Sequence, residues 1–181
     1  LNSCTVSNAV VGVSCASRQP PPFAPNVYIT NTGGAILQAN TSIFLNNQVD
    51  VNFEPYTLTA NNLSLFKRSQ FKTNGFLKDP LYSSLSSSYH VRLIDTRGIR
   101  FFGCNFSNDN ITIYPSIPTR GSGIYAYNSK FHFAEDVSSV TTPGRFTNLR
   151  YGIHSFALNP VRNFTCKSTL FNNVSNGILA I

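Results

Sequence analysis

Charge is scarce in this chain, and acid scarcer still: 12% of the 181 residues are charged, against about 25% in an average globular protein, and seven are acidic. Seven carboxylates leave little material for the paired acids that glycoside hydrolysis requires. No apolar run approaches the roughly 20 residues that span a bilayer as a helix. No stretch reads as a long amphipathic helix. The four cysteines show neither a CxxC pair nor a Cys/His spacing that would hold zinc. The fourteen cations are scattered from Arg18 to Lys167, with only Lys67 and Arg68 adjacent, which favours a solvated face over a nucleic-acid groove.

Asn, Ser and Thr fill the polar positions, so the surface is one of amides and hydroxyls. Phe and Tyr are abundant, at 15 and 8 residues. β-Branched and aromatic residues suit pleated surfaces, and Asn tolerates the left-handed conformations of tight turns. The composition predicts an all-β chain of one domain, long enough to bury a sizeable core.

A repeat gives that prediction its form. Gly-Ile pairs stand at Gly98 and Ile99, Gly123 and Ile124, Gly152 and Ile153, and Gly177 and Ile178, separated by 25, 29 and 25 residues. A second word precedes the glycine: Phe146, Asn148, Gly152, then Phe171, Asn173, Gly177, and at the start Val6, Asn8, Gly12. A period of this size means stacked structural units. Each unit carries two or three short strands that cannot bury their apolar face alone, so stacking at about 4.8 Å aligns equivalent residues into interior ladders. The Asn of the second word aligns as well, which places side-chain amides within hydrogen-bonding reach between coils.

Alternation of period two marks Val91, Leu93, Ile99, Phe101, Cys104 and Phe106 as inward, with Ile124, Ala126 and Phe131 repeating the pattern. Leu63, Leu65 and Phe71 are the expected core positions of a less regular stretch, and Ile111 and Ile113 read as a further short strand. Cys4, Cys104 and Cys166 occupy similar places in the repeat and read as small inward hydrophobes, with a Cys4–Cys15 bridge as the alternative. Excursions are expected near 17–25, where three prolines deny ladder donors, near 54–90, and near 134–144. The chain opens inside a coil and stops on an apolar strand at Ile181. Both ends therefore read as cut, so the rest of a parent chain is the first expected partner.

These words, CNFSNDN and GIYAYNSKF among them, resemble those of the right-handed parallel β-helix proteins, the pectate-lyase-like architecture. The resemblance implies an all-β solenoid with coils of about 25 residues and lateral loop insertions, here a fragment without caps. The leucine-rich frame L-x-x-L-x-L is missing, and a β-sandwich has no need of words returning in register. The Asn-rich, charge-poor style is similar to that of large secreted or cell-surface proteins of Bacteroidetes-type bacteria, which implies an extracellular location and export by the type IX system.

For function, the resemblance brings polysaccharide lyases and glycoside hydrolases into view. The polygalacturonase-like words NTD, DD, GHG and RIK are absent, and the adjacent acids Glu135 and Asp136 lie in an expected insertion. No catalytic residue, cofactor or metal site is assigned. Asp95 with Arg97 and Arg100 is the nearest approach to an ionic site, with a surface salt bridge as the plainer reading. His132 and His154, 22 residues apart, are expected to stack on one outer face with Tyr125, Tyr127 and Tyr151. Tyr125, Tyr127, Tyr151 and His154 are the carbohydrate-contact candidates, since flat amphipathic rings pack on sugars and also hydrogen-bond. Six Asn-x-Ser/Thr sequons, at Asn40, Asn62, Asn105, Asn110, Asn163 and Asn173, read as turn residues. The reading that results is a non-enzymatic, adhesin-like or glycan-contacting segment, or an exported cargo seen in part. Its expected partners are glycans and secretion machinery rather than nucleic acid or membrane. The alternative is a fragment of a polysaccharide-degrading enzyme whose catalytic residues lie elsewhere.

Overall fold

The computed structural model describes residues 1–15, 36, 38–55, 63–75, 89–138, 140–158 and 162–181. The expected excursion at 17–25 lies outside them.

Six coils follow one another. The first runs through β1 (Thr5–Ser7), β2 (Val11–Cys15) and β3 (Ala39–Asn40). The second holds β4 (Ile43–Leu45), β5 (Val49–Phe53) and β6 (Leu65–Lys67), and the third β7 (Gln70–Thr73), β8 (Tyr89–Ile94) and β9 (Arg97–Phe102). The fourth holds β10 (Asn105–Asn108), β11 (Ser122–Tyr127) and β12 (Lys130–Ala134). The fifth holds β13 (Gly144–Thr147), β14 (Tyr151–Phe156) and β15 (Thr165–Cys166), and the sixth β16 (Thr169–Asn172) and β17 (Asn176–Ala180). Each strand pairs in parallel with its counterparts in the neighbouring coils, giving three sheets: β1-β4-β7-β10-β13-β16, β2-β5-β8-β11-β14-β17 and β3-β6-β9-β12-β15. This is a parallel β-helix. The step from Gly144 to Thr169 is 25 residues, and the steps between the earlier first-sheet strands are longer. The stretch expected to loop out from 54 to 90 itself carries β6 and β7.

The interior is built from ladders. In the first sheet Val6, Phe44, Phe71, Phe106, Phe146 and Phe171 stand one above another. Their rings stack nearly flat: Phe71 lies 4.8 Å from Phe44 and 4.4 Å from Phe106, with interplanar angles of 4° and 3°. The second sheet contributes Val13, Val51, Val91, Ile124, Ile153 and Ile178. The third contributes Ala39, Phe66, Phe101, Phe133 and Cys166. Burying one such Phe is worth roughly 1.5–3 kcal/mol, and each aromatic pair adds about 1 kcal/mol.

All nine residues marked inward by alternation between Val91 and Phe131 are buried. Phe71 is buried too, but Leu63 is 60% exposed and Leu65 points away from the core. Phe66 takes the interior place instead, because its ring stacks on Phe101 at 4.9 Å. Ile111 and Ile113 form no strand. They lie in a turn where the Asn110 side chain accepts the Ile113 N–H, and Ile111 is exposed.

The corners need left-handed backbone. Asn8, Asn46, Asn148 and Asn173 leave the first sheet with φ of 57°, 56°, 55° and 51°, values Asn tolerates better than most residues. Their amides pair between coils as expected: Asn173 Nδ2 donates to Asn148 Oδ1 at 2.7 Å, and Asn46 Nδ2 to Asn74 Oδ1 at 2.9 Å. Of the sequon residues, Asn110 and Asn173 are in turns, whereas Asn40 and Asn105 sit in strands.

The Gly-Ile series divides. Ile124, Ile153 and Ile178 are true equivalents on the second sheet, but Ile99 lies on the third, opposite Phe131. Gly98 is an extra residue on β9 with φ of 88°, a bulge rather than a repeat position. All four cysteines are free. Burial raises Cys15 to about 11 and Cys104 to about 12, which keeps both thiols neutral. Cys4 and Cys104 each directly precede the first-sheet ladder, whereas Cys166 belongs to the third sheet opposite Phe133, so the three are not equivalent.

Candidate functional site

Stacking dictates the interior and leaves the outer faces free to carry function. On the second sheet, strands β8, β11 and β14 point alternate residues outward. Arg92, Tyr125 and His154 stand in one outward row, and Ile94, Tyr127 and Phe156 in the next. Tyr125 lies 4.8 Å from Tyr89 and 5.6 Å from His154, ring centre to ring centre. His154 stacks on Tyr151 at 4.6 Å and reaches Phe156 at 4.6 Å, while the Arg150 guanidinium lies 4.9 Å above the Tyr151 ring.

The structure thus brings together Tyr125, Tyr151 and His154, and places Tyr127 on the same face. It adds Phe156, whose outward position follows from the same alternation, and Tyr89, which shares the parity of inward Val91 and Leu93 but stays half-exposed because the alternation breaks at His90, which is buried beside Val91. His132 does not join them. It belongs to β12 on the third sheet, because the 22-residue interval from His132 to His154 crosses from one sheet to another. Partial burial raises the Tyr125 hydroxyl pKa, aided by the neighbouring Tyr89 and Tyr127 and opposed by Arg92. Burial and then the Arg150 charge lower the pKa of His154, which keeps its ring neutral and stackable at neutral pH.

Below the rings the face turns polar. Arg92 donates to Asn52 Oδ1 at 3.3 Å and approaches Glu54 Oε1 at 3.8 Å, while Asn52 Nδ2 donates to Glu54 Oε1. Ring faces bordered by amide, carboxylate and guanidinium groups can take a sugar, whose C–H face packs on the ring and whose hydroxyls reach the polar edge.

Round a two-residue corner, Asp95–Thr96 in the third coil and Asn128–Ser129 in the fourth, lies the third sheet's outer face. Here Arg97, Arg100, Lys130, His132 and Arg162 line an open cleft of about 630 Å³. Asp95 stays at the corner with φ of 47°, and its carboxylate accepts the Asn128 amide at 2.6 Å. Arg97 and Arg100 thus line a cationic cleft, and Asp95 is not among the residues that line it.

Two further carboxylates are committed to structure. Asp136 takes Arg68 Nε at 2.7 Å and Lys67 Nζ at 3.7 Å, and pins the 135–143 loop across the third sheet with an antiparallel bridge to Thr142. Desolvation pushes its carboxyl pKa up, but hydrogen bonds from Ser138 and Arg68 with the Lys67 charge outweigh that and hold it below the usual range. Asp50 is fully buried and bonded to His90 Nδ1 at 2.6 Å and to Asn47 Nδ2 at 2.7 Å. The sequence reading did not pair these two residues, which lie 40 positions apart. Among the described residues no helix is long and apolar enough to cross a membrane, and no three His, Cys, Asp or Glu groups gather as a metal site.

The class of protein is thereby set by geometry, as a parallel β-helix with an aromatic outer face and a cationic one. Comparison with protein-family models, with curated proteins and with solved structures gives no match.

Proposed function

We propose that this chain is a non-enzymatic, glycan-contacting segment of a secreted or cell-surface β-helix protein, adhesin-like in role. The observation that carries the reading is the joined set of outward rings, Tyr89, Tyr125, Tyr151, His154 and Phe156, on three successive rigid strands. Aromatic side chains fixed by a ladder lose little freedom on meeting a sugar. The engagement of Asp50 with His90 and of Asp136 with Arg68 fits a structural rather than a catalytic use of acids. Export by the type IX system, and the secretion machinery as a transient partner, belong to the same reading and rest on the style of the repeat.

Affinity electrophoresis through a panel of neutral polysaccharides tests it. At least one should retard the protein, and Tyr89→Ala with Tyr125→Ala should weaken that retardation about tenfold, the equivalent of roughly 1.4 kcal/mol. Retardation by none of the panel, or release of reducing-end or unsaturated sugars on incubation, would sink the non-enzymatic glycan reading.

A further inference from the structure

The cationic cleft on the third sheet has features that a solvated basic face lacks. Its charged side chains come from three separate places in the chain: Arg97 and Arg100 from β9, Lys130 and His132 from β12, and Arg162 from the segment that precedes β15. Register sets them side by side, Lys130 opposite Arg97 and His132 opposite Arg100. No acidic side chain lines the cleft among the described residues. Its volume of about 630 Å³ falls within the range of small-ligand sites, roughly 300–1,000 Å³.

Arg162 supplies the second observation. It lines the cleft yet is only 7% exposed, and among the described residues it has no hydrogen-bond or ion-pair partner. Covering most of an arginine side chain without a counter-charge beside it is costly, and an anion bound in the cleft would lower that cost. His132 reports the same field. Burial first, then the Lys167 and Arg100 charges, disfavour its proton. Ordinary surface cations gain nothing from such crowding, since like charges held together repel.

We propose that this cleft binds an oxoanion carried on a glycan, a sulfate ester or a sugar carboxylate, seated on Arg162 and flanked by Arg100 and Lys130. Planar guanidinium groups bind such oxygens with paired N–H donors, and Lys130 adds a point charge. The proposal extends the glycan reading to an anionic class of ligand, but it uses a different face from the aromatic rings. The two can therefore fail separately.

The test is titration of the intact chain with dextran sulfate, polygalacturonate, neutral dextran, inorganic sulfate and a single-stranded oligonucleotide, at low salt and at about 0.15 M. Binding of dextran sulfate or polygalacturonate that persists at about 0.15 M salt, where exposed charges are largely screened beyond about 8 Å, is the expected result. The stronger of the two arms names the group. Arg162→Gln and, separately, the exposed Lys130→Gln should each weaken that binding about tenfold, a change typical of losing a charged hydrogen bond. Lys72→Gln, which removes a half-buried cation paired with Asp109 on another sheet, should leave it unchanged. The His132 resonance should titrate at higher pH with ligand bound than without. Lys130→Gln keeps the test open if Arg162→Gln fails to fold. Equal binding of the oligonucleotide, equal loss in Lys72→Gln, an unmoved His132, or affinity no greater than for neutral dextran would overturn the proposal. Saturation by inorganic sulfate as tight as by the polymers would also overturn it, since the glycan would then contribute nothing. Loss of neutral-glycan binding in the Tyr89 and Tyr125 variants, with the cleft intact, bears only on the aromatic face.

Discussion

One inward row of the second sheet is built in two different ways along the solenoid. In the fourth, fifth and sixth coils the row holds Gly123, Gly152 and Gly177, and a Cβ at Gly123 or Gly152 would come within 2.5 Å of a ring atom of Phe146 or Phe171. In the second and third coils the same slot, bracketed by Val49 with Tyr89 and by Val51 with Val91, holds Asp50 and His90. There the two side chains bond to each other, and the His90 ring meets Phe106 edge-on at 6.1 Å. The slot therefore accepts either no side chain or a self-satisfying pair. A single Asp or His between two glycine coils would leave a buried polar group without its partner.

The largest effect should come from filling the glycine half. Gly152→Ala forces Phe171 and the Gly177 carbonyl apart and should cost about 3 kcal/mol, whereas Gly177→Ala, with its nearest contact at 3.2 Å, should cost under about 1 kcal/mol. Equal losses in chemical denaturation would break the distinction within the row.

Next comes the polar half. Asp50→Ala strands His90, while Asn47 keeps its bonds to Val6 and Ala9, and should cost about 3 kcal/mol, as removal of one buried partner typically does. The double replacement Asp50→Gly with His90→Gly, which restores the all-glycine row, should cost less than the sum of the two single replacements by about 1 kcal/mol or more. Strict additivity would mean that the pair is two independent residues.

The smallest effect is in pH dependence, and its sign differs between two carboxylates. Burial raises Asp50 above the usual carboxyl range, with the bonds from His90 and Asn47 opposing, so folding favours the protonated form. Its contribution is present below the unfolded pKa and lost as pH rises through the raised one. Asp136 is held low, so its contribution is present above the unfolded pKa and lost as pH falls through the folded one. In Asp50→Asn, stability should fall less than in the parent as pH rises from the acid range toward neutrality. In Asp136→Asn, stability should fall less on acidification. Thermal melts across this range read both, and the same sign in the two variants would contradict the assignment.

The interior was legible because stacking leaves a period. Alternation places Val91 through Phe106 correctly, since a residue facing the core can do so only at every second position. Legibility failed where two signals used the same letters. Gly98-Ile99 spells the repeat word, but a bulge glycine and a packing glycine differ only in backbone angle and in what faces them. Leu63 and Leu65 alternate as well as any core pair, yet the neighbouring phase brings Phe66 onto the Phe101 ring. Asp50 and His90 were hidden because the repeat word had been defined by its glycine. Aligning Gly12 and Gly123 through the ladder would have shown that acid and base share one slot. On the outer faces no period constrains the residue. The cations of the cleft look scattered along the chain, since neighbours in a parallel sheet are a whole coil apart in sequence.

The two-residue corners at Asp95–Thr96 and Asn128–Ser129 have a further consequence for a long ligand. They join the aromatic face to the cationic one through strands with no hinge between them, Tyr127 ending one and Lys130 starting the next. Under the proposed glycan reading, a polymer that touched one face would meet the other already in place, at a local concentration set by the ladder rather than by a flexible linker. It would gain avidity from two weak contacts without the ordering cost of bringing separate modules together, and a short oligosaccharide confined to one face would not.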